Sequence, residues 1–504
     1  MMRVAIRADS SAVVGAGHVM RDIALAQELA ARGAKVCFVC RQIVEAQLEV
    51  IRRNGFALAL LPGTDDGSIL LADHSSWLGA SWQRDVEETL AAVDAAGGVD
   101  WLIVDHYSLN AAWHSRMRTA GCRIAVIDDL ADREYDCDLL VDQGIGADPV
   151  ARYRGRVPRA ALVLCGSRFA LLRAEFREAL KLRGARDGQV RRVLVSYGGI
   201  DRAGETLKAL SVLAGLESPP AADVVIGAAN PHRDEIEIRA AALPFVRLHV
   251  DTLRMAELTS QSDLAFGNAG GSALERCCLG LPSIVTVSAA NQEQGAQALR
   301  KTGAALVLGN ASEVSVEQLR TALIGLMALP STVRSMGDHA VAICDGEGAR
   351  RVVSRMEALT MVLRLAQPGD CDALLTWRNH EANRRHAFDS SAISAATHEA
   401  WFFRCLKNPA TVLLVAEDSG GPVGVLRYDV KDAVAKVSVY LVPDRLGRGA
   451  GSVLLRLGED WLAQHRPETR RIEAEILAAN IPSMISFGEA GYVSVKHTLS
   501  KQTG

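Results

Sequence analysis

The chain has 504 residues, of which 49% are hydrophobic and 23% are charged, and its formal net charge is −3. This balance is typical of a globular protein with enough apolar material for several cores, and it excludes the strongly basic footprint of a nucleic-acid-binding protein. At about 100–200 residues per domain, the length predicts about three domains.

Charged residues interrupt the N-terminal apolar run at Arg3, Arg7 and Asp9, which argues against a signal peptide or a membrane anchor. We therefore expect a cytoplasmic protein without membrane or nucleic-acid partners. The pair Cys37 and Cys40 forms a CxxC inside a predicted buried strand, and no second ligand pair follows at zinc-site spacing. The sequence therefore predicts no metal site.

The first part of the chain alternates short apolar runs with helical patterns. The predicted strands are 4–8, 35–40, 101–105, 123–128 and 139–142, with helices such as 19–31 and 81–96 between them. A second series runs through 192–197, 223–226, 246–249, 263–267, 283–287 and 304–308. Strand–helix alternation predicts parallel sheets covered by helices, and two such Rossmann-like units predict ligand sites at the carboxyl ends of the strands.

A different pattern begins at residue 362. It predicts a strand at 362–365, a helix at 370–379, antiparallel strands at 411–417, 424–430 and 435–441, a helix at 453–464 and a strand at 471–477. The sequence thus predicts an α/β protein of three domains, at residues 1–165, 166–358 and 361–504. The first two would form a pair of Rossmann-like domains, and the third a separate α/β domain.

The first motif, Gly15-Ala16-Gly17-His18, follows the first predicted strand and opens a helix. Glycines at such a turn let backbone N–H groups approach a phosphate or a sugar. The helix dipole at this position favours the neutral imidazole of His18, the form that a general base needs. A capping or surface histidine is the alternative. Arg21, one turn on, contacts substrate or is simply solvated.

The wider pattern Arg7-Ala8-Asp9-Ser10-Ser11 with Gly15-x-Gly17-His18-x-x-Arg21 resembles the UDP-2,4-diacetamido-2,4,6-trideoxy-β-L-altropyranose hydrolases of pseudaminic acid biosynthesis, the PseG family, over about residues 2–355. That family has a glycosyltransferase-B fold similar to that of MurG. The resemblance implies that His18 activates the water that attacks the anomeric carbon and expels UDP. It also implies that the substrate is bound by Asp9, Gly15, Gly17 and Arg21.

A second glycine-rich region follows the strands 192–197 and 263–267. Its residues include Gly198, Gly199, Asn268, Gly270, Gly271, Ser272 and Glu275. One interpretation is a capping box, with Ser272 as N-cap and Glu275 three residues later. The other is that the glycines and the helix N-terminus hold the UDP pyrophosphate. In MurG-like enzymes a glutamate of this helix binds the ribose, which implies that role for Glu275.

The segment Asn291-Gln292-Glu293-Gln294 follows the strand 283–287. It resembles the glutamine-rich segment that lies near the sugar and the diphosphate in the same family, which implies a substrate contact for Gln292. Ordinary polar residues of a loop are the alternative.

The third motif, Leu446-Gly447-Arg448-Gly449-Ala450-Gly451, precedes the predicted helix 453–464. It is similar to the pyrophosphate loop Q/R-x-x-G-x-G/A of the GNAT acetyltransferases, with Leu446 in place of the first polar residue. A structural glycine turn is the alternative. The resemblance implies that acetyl-CoA is a cosubstrate, and that it is contacted by Leu441, Val442, Gly447, Arg448, Gly449, Ala450, Gly451, Ser452, Asn480, Ser483 and Phe487.

GNAT enzymes often carry a tyrosine seven residues after the asparagine, where it protonates the departing thiolate. Here that position is Phe487, which leaves this role to Tyr440 or a water. Glu473 and Glu475 lie on one face of the predicted strand, so Glu475 is a candidate base for the acceptor amine, and a solvated glutamate is the alternative. Trp377-Arg378-Asn379 and His398-x-x-Trp401-Phe402 resemble the acceptor side of PseH acetyltransferases, which implies substrate contacts for Trp377, Arg378, His398 and Trp401.

Together the motifs predict a bifunctional enzyme that uses acetyl-CoA and a UDP-linked amino sugar. It would first acetylate UDP-4-amino-4,6-dideoxy-N-acetyl-β-L-altrosamine and then hydrolyse the diacetamido product to the free sugar and UDP. Two alternatives stay open at this stage. One is a UDP-sugar glycosyltransferase fused to an acetyltransferase, and the other is a non-catalytic nucleotide-sugar sensor.

Overall fold

The computed structural model describes residues 1–11, 14–15, 17–63, 77–146, 150–418 and 420–495. The chain divides into two compact units, Met1–Val352 and Val353–Gly504. The predicted domain boundaries near residues 165 and 360 stay predictions. Ala16 of the first motif lies outside the described residues.

The first unit begins with a seven-stranded parallel sheet. Its strands are β1 (Arg3–Ala8), β2 (Lys35–Cys40), β3 (Ala57–Leu60), β4 (Trp101–Asp105), β5 (Arg123–Ile127), β6 (Leu139–Asp142) and β7 (Leu162–Cys165). The helices among them are α1 (Gly17–Ala31), α2 (Glu45–Arg53), α3 (Trp82–Ala95) and α4 (Ala111–Met117). The strand order β3-β2-β1-β4-β5-β6-β7 reverses direction between β1 and β4, where an open α/β sheet has its ligand crevice.

A second parallel sheet of six strands follows in the same unit. Its strands are β8 (Arg192–Ser196), β9 (Ala221–Ile226), β10 (Val246–Val250), β11 (Leu264–Gly267), β12 (Ser283–Val287) and β13 (Ala305–Asn310). The helices of this part are α5 (Ala174–Leu182), α6 (Glu205–Ala214), α7 (Arg233–Ala241), α8 (Met255–Gln261), α9 (Gly271–Cys278), α10 (Glu293–Thr302), α11 (Val316–Met327), α12 (Pro330–Val341) and α13 (Gly348–Leu359). The order β10-β9-β8-β11-β12-β13 reverses between β8 and β11.

Buried apolar strands explain why both sheets form. In β1 and β4 the side chains of Val4, Ile6, Leu102 and Ile103 are at most 1% exposed, because helices cover both faces of each sheet. Strands that are buried on both faces are continuously apolar rather than alternating. The predicted α/β class with two Rossmann-like sheets is confirmed, although the sequence reading missed β3 and β7.

The second unit contains a five-stranded sheet in the order of the chain. Its strands are β14 (Val362–Leu365), β15 (Thr411–Asp418), β16 (Gly421–Lys431), β17 (Val434–Leu441) and β18 (Arg471–Ala474), and its helices are α14 (Cys371–Asn379), α15 (Glu381–Arg384), α16 (Ala395–Lys407), α17 (Ala450–His465) and α18 (Ile481–Glu489). The strands from β14 to β17 pair antiparallel with their neighbours, whereas β18 pairs parallel with β17. Pairing of β17 with β18 ends at Val437↔Ala474, although β17 continues to Leu441.

No helix within the described ranges combines the length and the apolar character needed to cross a membrane.

Candidate functional site

A histidine–aspartate–arginine cluster lies at the reversal point of the first sheet. Helix α1 begins beside the end of β1, and the neighbouring β4 ends at Asp105. His18 Nδ1 lies 2.6 Å from Asp105 Oδ1. Arg21 donates from Nε to Asp105 Oδ2 at 2.6 Å and from Nη2 to Oδ1 at 2.6 Å. The fold thus brings the predicted His18 and Arg21 together around a carboxylate that the sequence reading did not single out.

Charge and burial define the state of this carboxylate. Burial alone would raise the pKa of Asp105, but the charge of Arg21 and the hydrogen bonds from Arg21 and His18 outweigh burial and hold that pKa below its usual value. Because an ionised carboxylate can only accept, we assign the proton of this contact to Nδ1 of His18. The Nε2 lone pair of the neutral imidazole is then left to act as a base, the arrangement found in base–orienter pairs.

Tyr107, two residues after Asp105, also fixes the imidazole ring. Its ring meets that of His18 edge-on, with the centroids 4.6 Å apart. The Tyr107 hydroxyl donates to Asp129, and Arg21 Nη1 lies 3.6 Å from the same carboxylate. His18 is therefore held by a hydrogen bond at one ring atom and by a T-shaped aromatic contact with Tyr107.

The glycines of the first motif leave space beside His18. Gly15 has φ +82°, a left-handed conformation that favours glycine, and a Cβ atom built on either Gly15 or Gly17 would meet no described atom within 4 Å. This space is compatible with the predicted approach of a substrate to the backbone.

The position of Asp9 does not fit the predicted substrate contact. The side chain is completely buried. Its Oδ1 accepts from Arg7 Nη1 at 2.7 Å and from the backbone N–H of Arg41 at 2.7 Å, and its Oδ2 lies 3.3 Å from His106 Nε2. Both oxygens are engaged inside the protein, so the structure gives Asp9 the role of holding the loop that follows β1.

A second candidate region lies at the reversal point of the other sheet. Asn268 follows β11, and its Nδ2 donates to the carbonyl of Tyr197, which follows β8, at 2.8 Å. Its Oδ1 accepts from the Gly270 N–H at 3.1 Å. Gly198 has φ +91°, and a Cβ atom there would lie 3.8 Å from Asn268 Nδ2. The Asn268 amide therefore ties the two predicted glycine turns together.

The neighbouring Gly199 lies against another turn of the same sheet edge. The Gly227 N–H donates to the Gly199 carbonyl at 2.9 Å, and a Cβ atom on Gly227 would lie only 2.7 Å from that oxygen. This close backbone approach requires glycine at residue 227, and it gives Gly199 a structural contact besides its predicted substrate contact.

The capping-box interpretation of Ser272 and Glu275 is wrong. Helix α9 begins at Gly271, with Gly270 as its N-cap and no side chain capping its first turn. Ser272 lies inside the helix, where its hydroxyl donates to Asn268 Oδ1 at 3.4 Å and accepts from Arg276 at 3.1 Å. A helix start without a side-chain cap keeps its amides for an anion, as the pyrophosphate interpretation requires.

Gln292 and Glu275 lie at different distances from the start of α9. A Cβ atom on Gly270 would lie 3.5 Å from Gln292 Nε2, and Gln292 Oε1 accepts from the Ser288 N–H at 3.1 Å. Glu275 lies one turn further on, 3.7 Å from Arg173. Burial raises the pKa of Glu275, and the charge of Arg173 opposes that shift. Gln292 thus lies at the glycine turn itself, whereas Glu275 lies beside it.

In the second unit, the predicted pyrophosphate loop has the backbone of an anion-binding turn. Gly447 and Gly449 both have φ +74°. Gly449 is the N-cap of α17, and no side chain caps this helix start. A Cβ atom on Gly449 would clash with Arg355 Nη1, so a cationic side chain, paired with Glu489, adjoins the loop. Glycine and a nearby arginine are both suited to a diphosphate.

Asn480 and Phe487 have structural contacts. Asn480 is the N-cap of α18, and its side chain accepts from the Ser483 N–H at 3.2 Å. Phe487 is 5% exposed, and its ring meets that of Tyr492 with the centroids 4.9 Å apart. The predicted cofactor contact of Phe487 does not fit this packing, because the ring belongs to the interior of the unit.

Tyr440 and Glu475 differ as candidate catalytic groups. The Tyr440 hydroxyl donates to the Leu374 carbonyl at 3.4 Å, and burial raises the pKa of Tyr440, which keeps the phenol able to donate a proton. Strand β18 ends at Ala474, so the alternation argument for Glu475 fails. The Glu475 side chain is 65% exposed and pairs with Lys436 at 2.8 Å, which fits the solvated alternative.

The predicted acceptor side contains an aromatic cluster. Trp377, Trp401 and Tyr440 all pack on one apolar core, and the positive charge of Arg378 acts on Tyr440. His398 is only 2% exposed, with Nε2 3.1 Å from the Cys371 carbonyl, and burial lowers its pKa. The predicted substrate contact of His398 therefore does not fit, because this side chain connects α16 to α14 inside the unit.

Within the described ranges, no group of three or more histidine, cysteine, aspartate or glutamate side chains is placed to hold a metal ion.

Comparison with known proteins extends these observations. Residues 373–492 match the acetyltransferase (GNAT) family. The chain is 24% identical over 305 residues to the UDP-2,4-diacetamido-2,4,6-trideoxy-β-L-altropyranose hydrolase of Campylobacter jejuni, covering 60% of this chain and 97% of that protein. It is 25% identical over 363 residues to the spore coat polysaccharide biosynthesis protein SpsG of Bacillus subtilis, covering 71% and 98%.

Two further matches are partial or distant. A 22% identical match over 291 residues to the protein MJ1062 of Methanocaldococcus jannaschii covers 56% of this chain and 55% of that protein. The crystal structure of MurG from Acinetobacter baumannii aligns with a TM-score of 0.48 at 16% identity, covering 70% of this chain and 99% of MurG. The predicted resemblance to PseG-like hydrolases and the predicted GNAT domain are confirmed, and acetyl-CoA is supported as the cosubstrate of that domain.

Proposed function

We propose that this chain is a bifunctional enzyme that acetylates a UDP-linked amino sugar and then hydrolyses the product to the free sugar and UDP. The substrates would be UDP-4-amino-4,6-dideoxy-N-acetyl-β-L-altrosamine and its diacetamido product. The observation that carries the proposal is the base–orienter pair formed by His18 and Asp105 at a sheet reversal point, in a chain that also contains a GNAT domain.

In the hydrolytic step, Nε2 of His18 accepts a proton from water while the water oxygen attacks the anomeric carbon. The bond between that carbon and the UDP oxygen breaks, and UDP leaves with the electron pair. Asp105 stabilises the imidazolium that forms, since its Oδ1 stays bonded to Nδ1. The uncapped amides at the start of α9 are suited to the negative charge on the diphosphate.

In the acetyl-transfer step, the nitrogen of the neutral sugar amine attacks the thioester carbonyl carbon of acetyl-CoA, the C–S bond breaks and the CoA thiolate leaves, while the proton lost by the nitrogen passes to solvent. The loop at Gly447–Gly451 and the start of α17 would hold the pyrophosphate through backbone N–H groups. Beyond Val437, β17 continues without its β18 partner, which leaves backbone groups on that side for the pantetheine arm. Tyr440, kept protonated by burial, is the candidate donor to the thiolate.

The loop makes a specific prediction about CoA binding. We expect Gly449→Val to weaken CoA binding by at least about 10-fold, because the branched side chain opposes the left-handed conformation and would displace Arg355. Isothermal titration of the full chain with CoA measures the effect. Gly488→Ala is the matched control, since a Cβ atom there meets no described atom within 4 Å. Unchanged CoA affinity in Gly449→Val would show that the turn is only structural.

The hydrolase assignment is tested by incubating the chain with the diacetamido UDP-sugar in the absence of any sugar acceptor. We expect prompt release of UDP in amounts that exceed the enzyme concentration many times, because water is the proposed acceptor. UDP release that requires an added hydroxyl acceptor would support the glycosyltransferase alternative, and binding without turnover would support the sensor alternative.

A further inference from the structure

Asp22 is a buried carboxyl group that the proposed mechanism does not use. It lies on α1, four residues after His18 and therefore on the same helix face. Its side chain is 0% exposed. Among the residues that the structure describes, no N–H or O–H group donates a hydrogen bond to either carboxyl oxygen. Because an ionised carboxylate is very costly to bury without a partner, this group needs a physical explanation.

The groups that act on Asp22 come from three elements. Asp105 on β4 is close enough to share a side-chain hydrogen bond with Asp22, and Arg21 lies beside Asp22 on α1. Cys40 on β2 also faces Asp22, and burial raises the pKa of this thiol, which keeps it neutral. His18, also on α1, contacts Asp105. Tyr107 and Asp129 interact electrostatically with Arg21.

Arg21 does not neutralise Asp22. Two of its donors bind Asp105 at 2.6 Å each, and its remaining nitrogen lies 3.6 Å from Asp129. Two adjacent buried carboxyl groups that compete for one committed arginine do not both ionise. The pKa of Asp22 is raised well above its usual value, first by burial and then by the charge of Asp105, whereas Asp105 is held ionised.

We propose that Asp22 is a neutral carboxylic acid in the folded protein, and that it positions the His18–Asp105 pair by directing its O–H group at the Asp105 carboxylate. Asp22 is thus a positioning residue, since it acts through Asp105 and not on the substrate. Its catalytic consequence rests on the proposed hydrolase function. The hydrogen bond from Asp22 partly neutralises the negative charge of Asp105. Asp105 then attracts a protonated His18 less strongly, so the imidazole is less inclined to bind a proton on Nε2. The neutral base then persists to lower pH.

The protonation of Asp22 is tested without any substrate. Infrared difference spectra of the full chain at pH 7, wild type minus Asp22→Asn, should contain the C=O stretching band of a protonated carboxyl group. This band should shift in heavy water, because the acid proton exchanges. A difference spectrum with only carboxylate bands would overturn the proposal, whether or not the chain hydrolyses UDP-sugars.

The positioning role is tested by the pH dependence of kcat/KM for UDP release. Asp22→Asn should keep the wild-type profile, because the amide N–H can replace the acid as a donor to Asp105. Asp22→Leu lacks a donor, so the acidic limb should move to higher pH, with a loss of about 10-fold at pH 6 and little loss at pH 8. Thermal melting checks that each variant is folded.

The two variants separate positioning from packing. Altered packing alone would lower the rate equally at all pH values, and asparagine has nearly the same size and shape as the acid it replaces. An unchanged acidic limb in Asp22→Leu, or the same displaced limb in both variants, would overturn the positioning role. If Asp22→Leu does not fold, the infrared spectrum and the profile of Asp22→Asn still decide the matter, since a displaced limb in Asp22→Asn contradicts the proposal.

Discussion

His18→Ala should lower the rate of UDP release by about 10²–10⁴-fold, the usual contribution of a general base, and leave acetyl transfer unchanged. The structure gives the reason, since His18 is oriented through Nδ1 by Asp105 at 2.6 Å and held by a T-shaped contact with Tyr107. Steady-state assays of UDP release and of CoA release in the same preparation measure both effects.

The acetyl-transfer assay is the internal control of that experiment, because the GNAT domain spans residues 373–492 and does not contain His18. Asp105→Asn provides a second check. An amide at residue 105 can donate to Nδ1, which would favour the wrong tautomer and block Nε2 as a base. Wild-type UDP release in His18→Ala would remove this histidine from the mechanism.

The second large effect concerns the order of the two reactions. We expect the hydrolase to reject the unacetylated 4-amino substrate by about 10⁴-fold relative to the diacetamido sugar. The amino substrate carries an ammonium group where an amide is expected. A site that hydrogen-bonds an acetamido group would be left with unpaired polar atoms at about 1–3 kcal/mol each, and with a poorly solvated charge that costs more.

The measurement compares UDP release from the 4-amino substrate with and without acetyl-CoA. Release should be slow without acetyl-CoA and should follow acetylation when the cosubstrate is present. The Gly449→Val variant serves as the control, since it should retain hydrolysis of the preformed diacetamido sugar while failing to accelerate UDP release from the amino sugar. Equal rates with and without acetyl-CoA would contradict the ordered scheme, even if both activities were real.

The two parallel sheets could be predicted because their strands are continuous apolar runs with glycine turns between them. Strand–helix alternation over the first 310 residues fits few architectures. The predicted strand at 471–477 was too long, since pairing ends at Ala474. The apolar pattern alone does not show where two strands separate. Because the predicted strand was too long, Glu475 was wrongly predicted to lie in the active site.

Only some of the residues of the candidate site could be predicted from the sequence. The glycine motif identified His18 and Arg21, but their partner Asp105 is 84 residues from Arg21. A signal was present, because Asp105 is the polar last residue of an apolar strand, at the sheet edge where ligands bind. The role of Asp22 had no such signal, since an aspartate in the first turns of a helix is ordinarily a favourable surface residue.

At Ser272 a clear local pattern in the sequence was misleading. The spacing of this serine to Glu275 fits a capping box, yet the helix begins at Gly271, two residues earlier than a Ser272 cap would place its start. Helix starts differ by a residue or two between a sequence pattern and the hydrogen bonds that form. Asn268, which ties the turn to the carbonyl of Tyr197 at 2.8 Å, fixes this start through a contact that local spacing does not reveal.

One labelling reaction tests directly whether the chain acetylates the UDP-sugar and then hydrolyses it with water. The purified chain is mixed with the UDP-4-amino sugar and acetyl-CoA in ¹⁸O-labelled water, and all products are identified by mass spectrometry at early times. We expect CoA, unlabelled UDP and a free diacetamido sugar that carries ¹⁸O at the anomeric carbon, with the acetylated UDP-sugar as the intermediate. An acetylated UDP-sugar that accumulates without UDP release, or ¹⁸O in the phosphate of UDP, would contradict the proposed function.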